Sequence, residues 1–154
     1  MKIVLILILL SILISCDEKS VNTSYSKIPS SDTLTAYIPF IYDGDTFAVS
    51  IDDKNYKVRV LGIDTYESSK NDPDILERLT KQANKAGISI DSAYSLGLKG
   101  KKFADSLLKK KFALLERRGY KSNTDVYGRL LRYVVIDGMK YDSLIKANRL
   151  NTNL

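Results

Sequence analysis

Two short acidic clusters bracket one arginine, and a third cluster carries a second arginine: Asp43-Gly44-Asp45-Thr46, Arg59, Asp64-Thr65-Tyr66-Glu67 and Asp125-Val126-Tyr127-Gly128-Arg129. Carboxylates able to hold a hard cation, set beside two guanidinium groups, are what phosphodiester cleavage requires. The metal polarises a phosphoryl oxygen, a base directs water in line, and cations offset the charge gathering on the equatorial oxygens. Arginine suits the last task because its fork engages two phosphate oxygens at once. Glu67 is the natural candidate for the base, with Arg59 and Arg129 as clamps. Asp43 and Asp45 are two apart, so in extended backbone they point to one side, and Gly44 lets the chain turn closely between them. Asp64 follows strand-like Val58 to Ile63 and so projects from a strand end, where sites are commonly built.

Composition narrows the chemistry. The chain has 154 residues, no histidine and a single cysteine, Cys16, so acid, base or metal work must run on Asp, Glu, Lys, Arg or Tyr. Carboxylates and carbonyls are hard oxygen ligands that suit Ca²⁺ or Mg²⁺ and argue against zinc; calcium is the favoured metal. The net charge of +6 is unevenly placed: residues 99 to 154 hold 14 basic and 5 acidic side chains, whereas residues 16 to 98 hold 9 and 13. A basic C-terminal half beside an acidic N-terminal half fits a polyanion groove next to a cation site. Lys99, Lys101, Lys102 and Lys109 to Lys111 taken alone read equally as a solvated helix face.

Residues 1 to 15 read as a signal peptide. Lys2 precedes an apolar run from Ile3 to Ile14 that is too short to span a bilayer, since spanning takes about 20 residues as a helix. Leu13-Ile14-Ser15-Cys16 resembles the lipobox of bacterial lipoproteins, which implies diacylation of Cys16 and attachment to a membrane facing outside the cytoplasm. An ordinary secretory signal or a short uncleaved anchor is the alternative. With Cys16 taken by lipid no disulfide forms, and the fold rests on packing. Residues 16 to 32 are rich in Ser, Asn, Thr and Lys and read as a flexible tether, roughly 20 Å long as a random coil.

The folded domain is expected over residues 33 to 154. Thr33 to Tyr42, Thr46 to Ile51 and Tyr56 to Ile63 have strand patterns and read as a meander, with Asp52-Asp53-Lys54-Asn55 as a turn. Asp72 caps a helix from Pro73 to Ala86 that Gly87 stops, with Ile75, Leu76, Leu79, Ala83 and Ala86 on one face. A second helix, capped near Ser89 or Asp91, runs to about Lys110, its first half weakened by Gly97 and Gly100 at roughly 1 kcal/mol each. Phe112 to Arg117 and Leu130 to Ile136 are strands, Asp137-Gly138 turns a hairpin into Met139 to Tyr141, and Asp142 to Ala147 is a helix ending at Asn148 in a left-handed cap. This order predicts an α+β fold dominated by a small closed β-barrel with helices at its side and end.

Each motif has an ordinary reading when taken singly. Asp-Gly pairs are usually turns, an arginine in an alternating strand usually faces water, and Tyr127-Gly128-Arg129 serves as a strand start. In this order and spacing, however, the chain resembles the thermonuclease family, the staphylococcal nuclease-like domains. The likeness covers about Ile38 to Leu150 and rests on Asp43 to Thr46, Val58-Arg59-Val60-Leu61-Gly62-Ile63-Asp64-Thr65, Glu67, Leu96-Gly97-Leu98 and Asp125-x-Tyr127-Gly128-Arg129.

That resemblance implies a five-stranded OB-fold barrel with flanking helices and Ca²⁺-dependent hydrolysis of DNA and RNA. By position, Asp45, Asp64 and the Thr65 carbonyl would hold the metal, and Asp43 would shape the site from just outside. Glu67 would be the general base, Arg59 and Arg129 would bind the scissile phosphate, and Tyr127 would contact a terminal phosphate or a base. The substrate would be single-stranded or locally opened nucleic acid and the protein a monomer. Tyr66 stands where the family usually has proline, which loosens the lead into Glu67; Val126 replaces a frequently basic neighbour; and the longer stretch from Glu67 to Leu96 carries a helix expected to form a wall or lid beside the site. The family generally continues, beyond the position of Leu154, through an aromatic segment near the nucleotide base and then a third helix against the barrel, so weaker base stacking and a partly uncovered barrel are expected. Two other readings stand beside the nuclease: a non-catalytic module that binds nucleic acid or protein, and a surface lipoprotein with a structural Ca²⁺ site.

Overall fold

Two strands, β1 (Thr33–Ile41) and β2 (Thr46–Ile51), pair antiparallel, and β2 continues into β3 (Lys54–Val60) through Asp52 and Asp53, both left-handed at φ 48° and 60°. That two-residue turn matches the right-handed twist of its flanking strands. This is a computed structural model, and it describes residues 32–117, 119 and 122–152. The expected signal peptide, Cys16 and all of the expected tether except Asp32 lie outside the described residues.

The remaining strands are β4 (Phe112–Glu116), β5 (Leu130–Ile136) and β6 (Met139–Lys140). Strand β4 lies antiparallel between β1 and β5, and β5 pairs parallel with β3 through Val58↔Leu130, Arg59↔Leu131 and Val60↔Arg132. Strands β1 to β5 therefore close into a mixed barrel, with β6 appended as the hairpin arm that Asp137-Gly138 turns. With the three helices among the described residues, α1 (Pro73–Ala86), α2 (Ile90–Leu108) and α3 (Tyr141–Ala147), this is an OB-like α+β fold, and the closed barrel with helices is what the order of patterns predicted.

Strand β3 starts two residues earlier and stops three residues earlier than its alternation suggested. Its last amide, on Val60, donates to the Asp45 carbonyl at 2.8 Å, and the Leu61 amide donates to the Arg132 carbonyl at 2.8 Å. Gly62 then takes φ 85° and leads the chain out of the sheet toward Asp64.

Strand β1 carries a bulge between Tyr37 and Phe40. Pro39 lies in it and has no amide to give to a ladder, which is where proline is tolerated in a sheet. The extra residue shifts the phase of alternation: Ile38 and Ile41, three apart, both face the core, and Phe40 and Tyr42 face outward.

The barrel interior is packed by Ile38, Phe47, Val49, Val58, Leu115 and Leu130 among others, and Leu108 of α2 with Tyr141 and Ile145 of α3 close it. Each such fully buried side chain contributes about 1.5–3 kcal/mol. A second, smaller cluster joins Tyr66 to Leu79 and Ala83 of α1 and Ala93 of α2. Helix α1 has the expected ends: Asp72 accepts from the amides of Asp74 and Ile75 at 2.9 and 3.2 Å, and Gly87 closes it at φ 66°. Of its expected apolar face, Leu79 and Ala83 are buried while Leu76 and Ala86 are exposed. Ser89 caps α2 at 3.1 Å from the Ser92 amide. Helix α3 ends differently from expectation, because Asn148 stays right-handed, its side chain donating to the Leu144 carbonyl at 2.9 Å, and Arg149 makes the left-handed turn at φ 55°.

Candidate functional site

The tight loop between β1 and β2 sets the first carboxylates. The Asp43 side chain accepts from the Asp45 amide at 3.0 Å, and the amides of Tyr42 and Asp43 both donate to the Thr46 carbonyl. Gly44 permits this loop to lie on Thr65, since a Cβ at that position would come within 2.8 Å of the Thr65 methyl. Burial pushes the Asp43 carboxyl above its ordinary value, opposed by the Arg59 charge and by the Thr46 hydrogen bonds.

Asp45 is only 1% exposed, and both of its oxygens are engaged. Oδ2 accepts from the Thr65 amide at 2.6 Å and the Thr65 hydroxyl at 3.0 Å, while Oδ1 accepts from the Thr46 hydroxyl at 2.9 Å and is ion-paired with Arg59 Nη1. The other arm of the same guanidinium, Nη2, reaches Asp64 Oδ1 at 2.5 Å. Arg59 thus forms a bridge between two carboxylates that are 19 residues apart in sequence. Asp64 Oδ2 is held in turn by the Thr152 hydroxyl at 3.0 Å.

Arg129, the residue just before β5, joins this group. Its Nη1 donates to the Thr46 hydroxyl at 3.4 Å, and its Nε donates to Asp125 Oδ2 at 2.6 Å. Burial opposes ionisation of Asp125, but the amide and guanidinium of Arg129 and the Tyr127 amide outweigh it and hold the carboxyl below its ordinary value. One hydrogen-bonded chain therefore runs Arg129–Thr46–Asp45–Arg59–Asp64. Tyr127 is 79% exposed, with the Arg129 guanidinium 5.4 Å from its ring centroid.

Glu67 is the predicted site residue whose carboxylate is drawn elsewhere. Its Oε1 accepts from Arg78 Nε of α1 at 2.7 Å, a bond that also raises Arg78 above its ordinary value. One turn further along α1, Gln82 accepts from the Glu67 amide at 3.0 Å and donates to the Thr65 carbonyl at 2.9 Å. The helix between Glu67 and Leu96 is thus a wall fastened to the site by side chains. Tyr66, expected to loosen the lead into Glu67, is instead 1% exposed and anchors the second core, because an aromatic ring has α1 and α2 to pack against.

Gln82, Arg78 and the Tyr141 hydroxyl were not picked out in the sequence, and Gly97 was picked out there without this role. Gln82 and Arg78 are four apart, beside the buried Leu79 and Ala83, so a polar edge along a buried stripe was the available signal. Tyr141 donates its hydroxyl to the Gly44 carbonyl at 2.7 Å, and burial holds that phenol protonated far above its usual range. Gly97 of α2 lies so close to the Tyr66–Glu67 backbone that a Cβ would stand 2.1 Å from the Glu67 carbonyl oxygen.

The donors gathered at this end of the barrel are hard oxygens. The Asp45 and Asp64 carboxylates already converge on one cation, the Arg59 guanidinium, and the Thr65 carbonyl retains a second lone pair beyond its bond from Gln82. Among the described residues, no three of His, Cys, Asp and Glu come together as a group that would hold a metal by themselves. Hard oxygens of this kind suit Ca²⁺ or Mg²⁺ by type, and in this structure the Arg59 guanidinium occupies the place between the two carboxylates.

No family model matches the chain. It is similar to an uncharacterised protein of Methanocaldococcus jannaschii, 31% identical over 135 residues, a stretch that makes up 86% of this chain. The chain spans 62% of that relative's length.

Proposed function

We propose that this domain is a calcium-dependent nuclease of the staphylococcal nuclease-like kind, hydrolysing phosphodiester bonds of single-stranded or locally opened DNA and RNA. The observation that carries the reading is the continuous Arg129–Thr46–Asp45–Arg59–Asp64 chain, which joins two guanidinium groups 70 residues apart in sequence to two carboxylates at one barrel end.

In this reading Arg59 and Arg129 clamp the scissile phosphate and offset the charge that grows on its equatorial oxygens. Asp45, Asp64 and the Thr65 carbonyl would hold Ca²⁺, whose bound form supplies Lewis-acid polarisation of the phosphoryl oxygen. Arg59 releases its two carboxylates as it turns to the substrate. Glu67 takes a proton from water once its carboxylate parts from Arg78. Asp43 sets the Asp45 amide, and Tyr127 offers an exposed ring to a base or terminal phosphate. Reading residues 1 to 15 as a lipoprotein signal peptide and Cys16 as the acylated residue, the enzyme acts as a monomer tethered to the cell envelope.

The direct test is to incubate the chain with denatured DNA, and separately with RNA, in Ca²⁺ and then in excess chelator. Cleavage should stop with chelator, and Glu67→Gln should lower the rate roughly 100-fold or more. Cleavage that ignores chelator, or none from the wild-type protein, refutes the proposal. The Glu67–Arg78 pair favours a second reading, a non-catalytic nucleic-acid-binding module; salt-sensitive binding without turnover would establish it.

A further inference from the structure

Outside the site, two aromatic rings stand on the surface where a folded domain ordinarily keeps them inside. Phe40 is 47% exposed and Tyr42 41% exposed, and their centroids are 5.0 Å apart at an interplanar angle of 74°. The bulge at Pro39 is the cause, since unbroken alternation from Ile38 would have turned both rings into the core. A lysine ammonium flanks each ring: Lys57 Nζ lies 4.3 Å from the Tyr42 centroid and Lys101 Nζ lies 5.8 Å from that of Phe40.

Strand register connects this pair to the candidate site. Phe40 pairs with Ala48, and Ala48 pairs with Lys57, so the three form one rung across the outer face of β1, β2 and β3. On the next rung the Tyr42 amide donates to the Thr46 carbonyl at 3.0 Å, and Thr46 pairs with Arg59. Lys57 and Arg59 flank the buried Val58 and so share the outward face, about 6.6 Å apart along the strand. Arg129, the residue just before β5, reaches the same Thr46 hydroxyl. The rings, the two ammonium groups and the two guanidinium groups thus make one continuous strip.

We propose that this strip binds single-stranded nucleic acid, with bases stacking on Phe40 and Tyr42 and phosphates on Lys57 and Lys101, and leads the strand to Arg59 and Arg129. The inference deepens the nuclease reading and rests on it for the direction of the strand. Aromatic faces that alternate with cations are a sequence-tolerant platform for unpaired bases, because every base has a face to stack and every linkage has a charge to neutralise. A lipid surface would also accept rings and lysines. The strip ends, however, on Arg59 and Arg129, whose side chains are only 22% and 25% exposed, a recessed pair that a single strand reaches more readily than a flat headgroup layer.

The test uses the full chain in neutral detergent and a fluorescein-labelled 12-nucleotide oligothymidylate, with anisotropy read in excess EDTA so that the probe stays intact. Phe40→Ala and Tyr42→Ala should each weaken binding about fivefold or more, whereas Phe40→Tyr and Tyr42→Phe should bind within about twofold of wild type. Because both rings are on the surface, circular dichroism of the variants should match wild type. The double variant Lys57→Gln/Lys101→Gln should flatten the slope of log Kd against log salt by about 1.4, or 0.7 for each phosphate contact on a single strand. Wild-type affinity in both alanine variants overturns the proposal. So does a loss confined to flotation with phosphatidylglycerol vesicles, which would assign the strip to a membrane. Ring-dependent binding without cleavage in Ca²⁺ upholds the strip and refutes hydrolysis; cleavage with ring-independent binding does the reverse.

Discussion

Gly97 and Gly100 lie one turn apart on α2, and alanine should have opposite effects at the two positions. Alanine in place of glycine inside a helix contributes about 1 kcal/mol from backbone entropy alone. At Gly100 nothing opposes that gain, because the new Cβ would sit 3.9 Å from the Gly44 Cα and 4.0 Å from the Thr65 Cβ, ordinary contacts. At Gly97 the Cβ would meet the Glu67 carbonyl oxygen at 2.1 Å, the Glu67 carbonyl carbon at 2.7 Å and the Tyr66 carbonyl oxygen at 2.8 Å. All three are backbone atoms with no rotamer to escape into, so the helix and the Tyr66–Glu67 segment must separate by at least about 1 Å to restore van der Waals contact. Overpacking of this kind costs about 1–3 kcal/mol, and the cost belongs at the upper end because backbone meets backbone.

The net expectation is that Gly97→Ala loses about 2 kcal/mol and Gly100→Ala gains up to about 1 kcal/mol. Urea denaturation followed by circular dichroism resolves both. A shift of about 1 Å at Glu67 should also slow any hydrolysis roughly 100-fold, while Gly100→Ala retains it. If the two variants move in the same direction, or if Gly97→Ala unfolds at the wild-type midpoint, the close approach of α2 to Glu67 is not a constraint and the reasoning fails.

Two further outcomes follow from the same contacts. Gln82→Leu removes both the acceptor of the Glu67 amide and the donor to the Thr65 carbonyl, so it should cost about 1–3 kcal/mol by urea denaturation, more than Arg78→Leu, whose partly exposed pair is worth about 0–1 kcal/mol; equal losses would mean that the helix is held by charge and not by these amide bonds. The carboxyl of Asp125 is depressed in the folded protein, so its contribution to stability is present above the ordinary pKa of 3.8 and is lost as pH falls through the folded value. Asp125→Asn should therefore flatten acid unfolding below about pH 4 while lowering stability at pH 7; parallel wild-type and variant profiles would contradict this.

The sequence made local features legible where one residue type has one conformational use. Asp72, Pro73 and Gly87 mark both ends of α1, and Asp137-Gly138 marks a hairpin, because capping and left-handed backbone are read from the residues themselves. Features that depend on a distant partner were not legible. By propensity Gly97 and Gly100 weaken a helix; only the loop packed against α2 gives Gly97 its reason. Proline at 66 would have stiffened the loop, and a tyrosine there reads as a loss until α1 and α2 supply the pocket that buries it. The candidate site divides in the same way. The resemblance carried by Asp43, Asp45, Arg59, Asp64, Thr65 and Arg129 led to expecting them at one place, whereas the hold of Arg78 and Gln82 on Glu67 and Thr65 arises in α1, which carries none of the motifs.

The burial of Asp45 decides which substitution can inform on chemistry. Its carboxylate is held by Thr65, Thr46 and Arg59 with almost no access to water, so taking away Arg59 leaves a buried charge without its counter-ion. Breaking a buried pair in this way costs about 3–5 kcal/mol, a large share of the stability of a domain of this size. A dead Arg59→Ala protein is therefore as well explained by a collapsed loop as by a lost phosphate clamp. Glu67 carries no such burden: its carboxylate sits at the margin of the network, its partner Arg78 is half exposed, and its backbone is held by Gln82 whatever the side chain is. Loss of turnover in Glu67→Gln with unfolding unchanged speaks to proton transfer, and that is why the proposed reaction stands or falls on Glu67 more than on the arginine that first drew attention to the site.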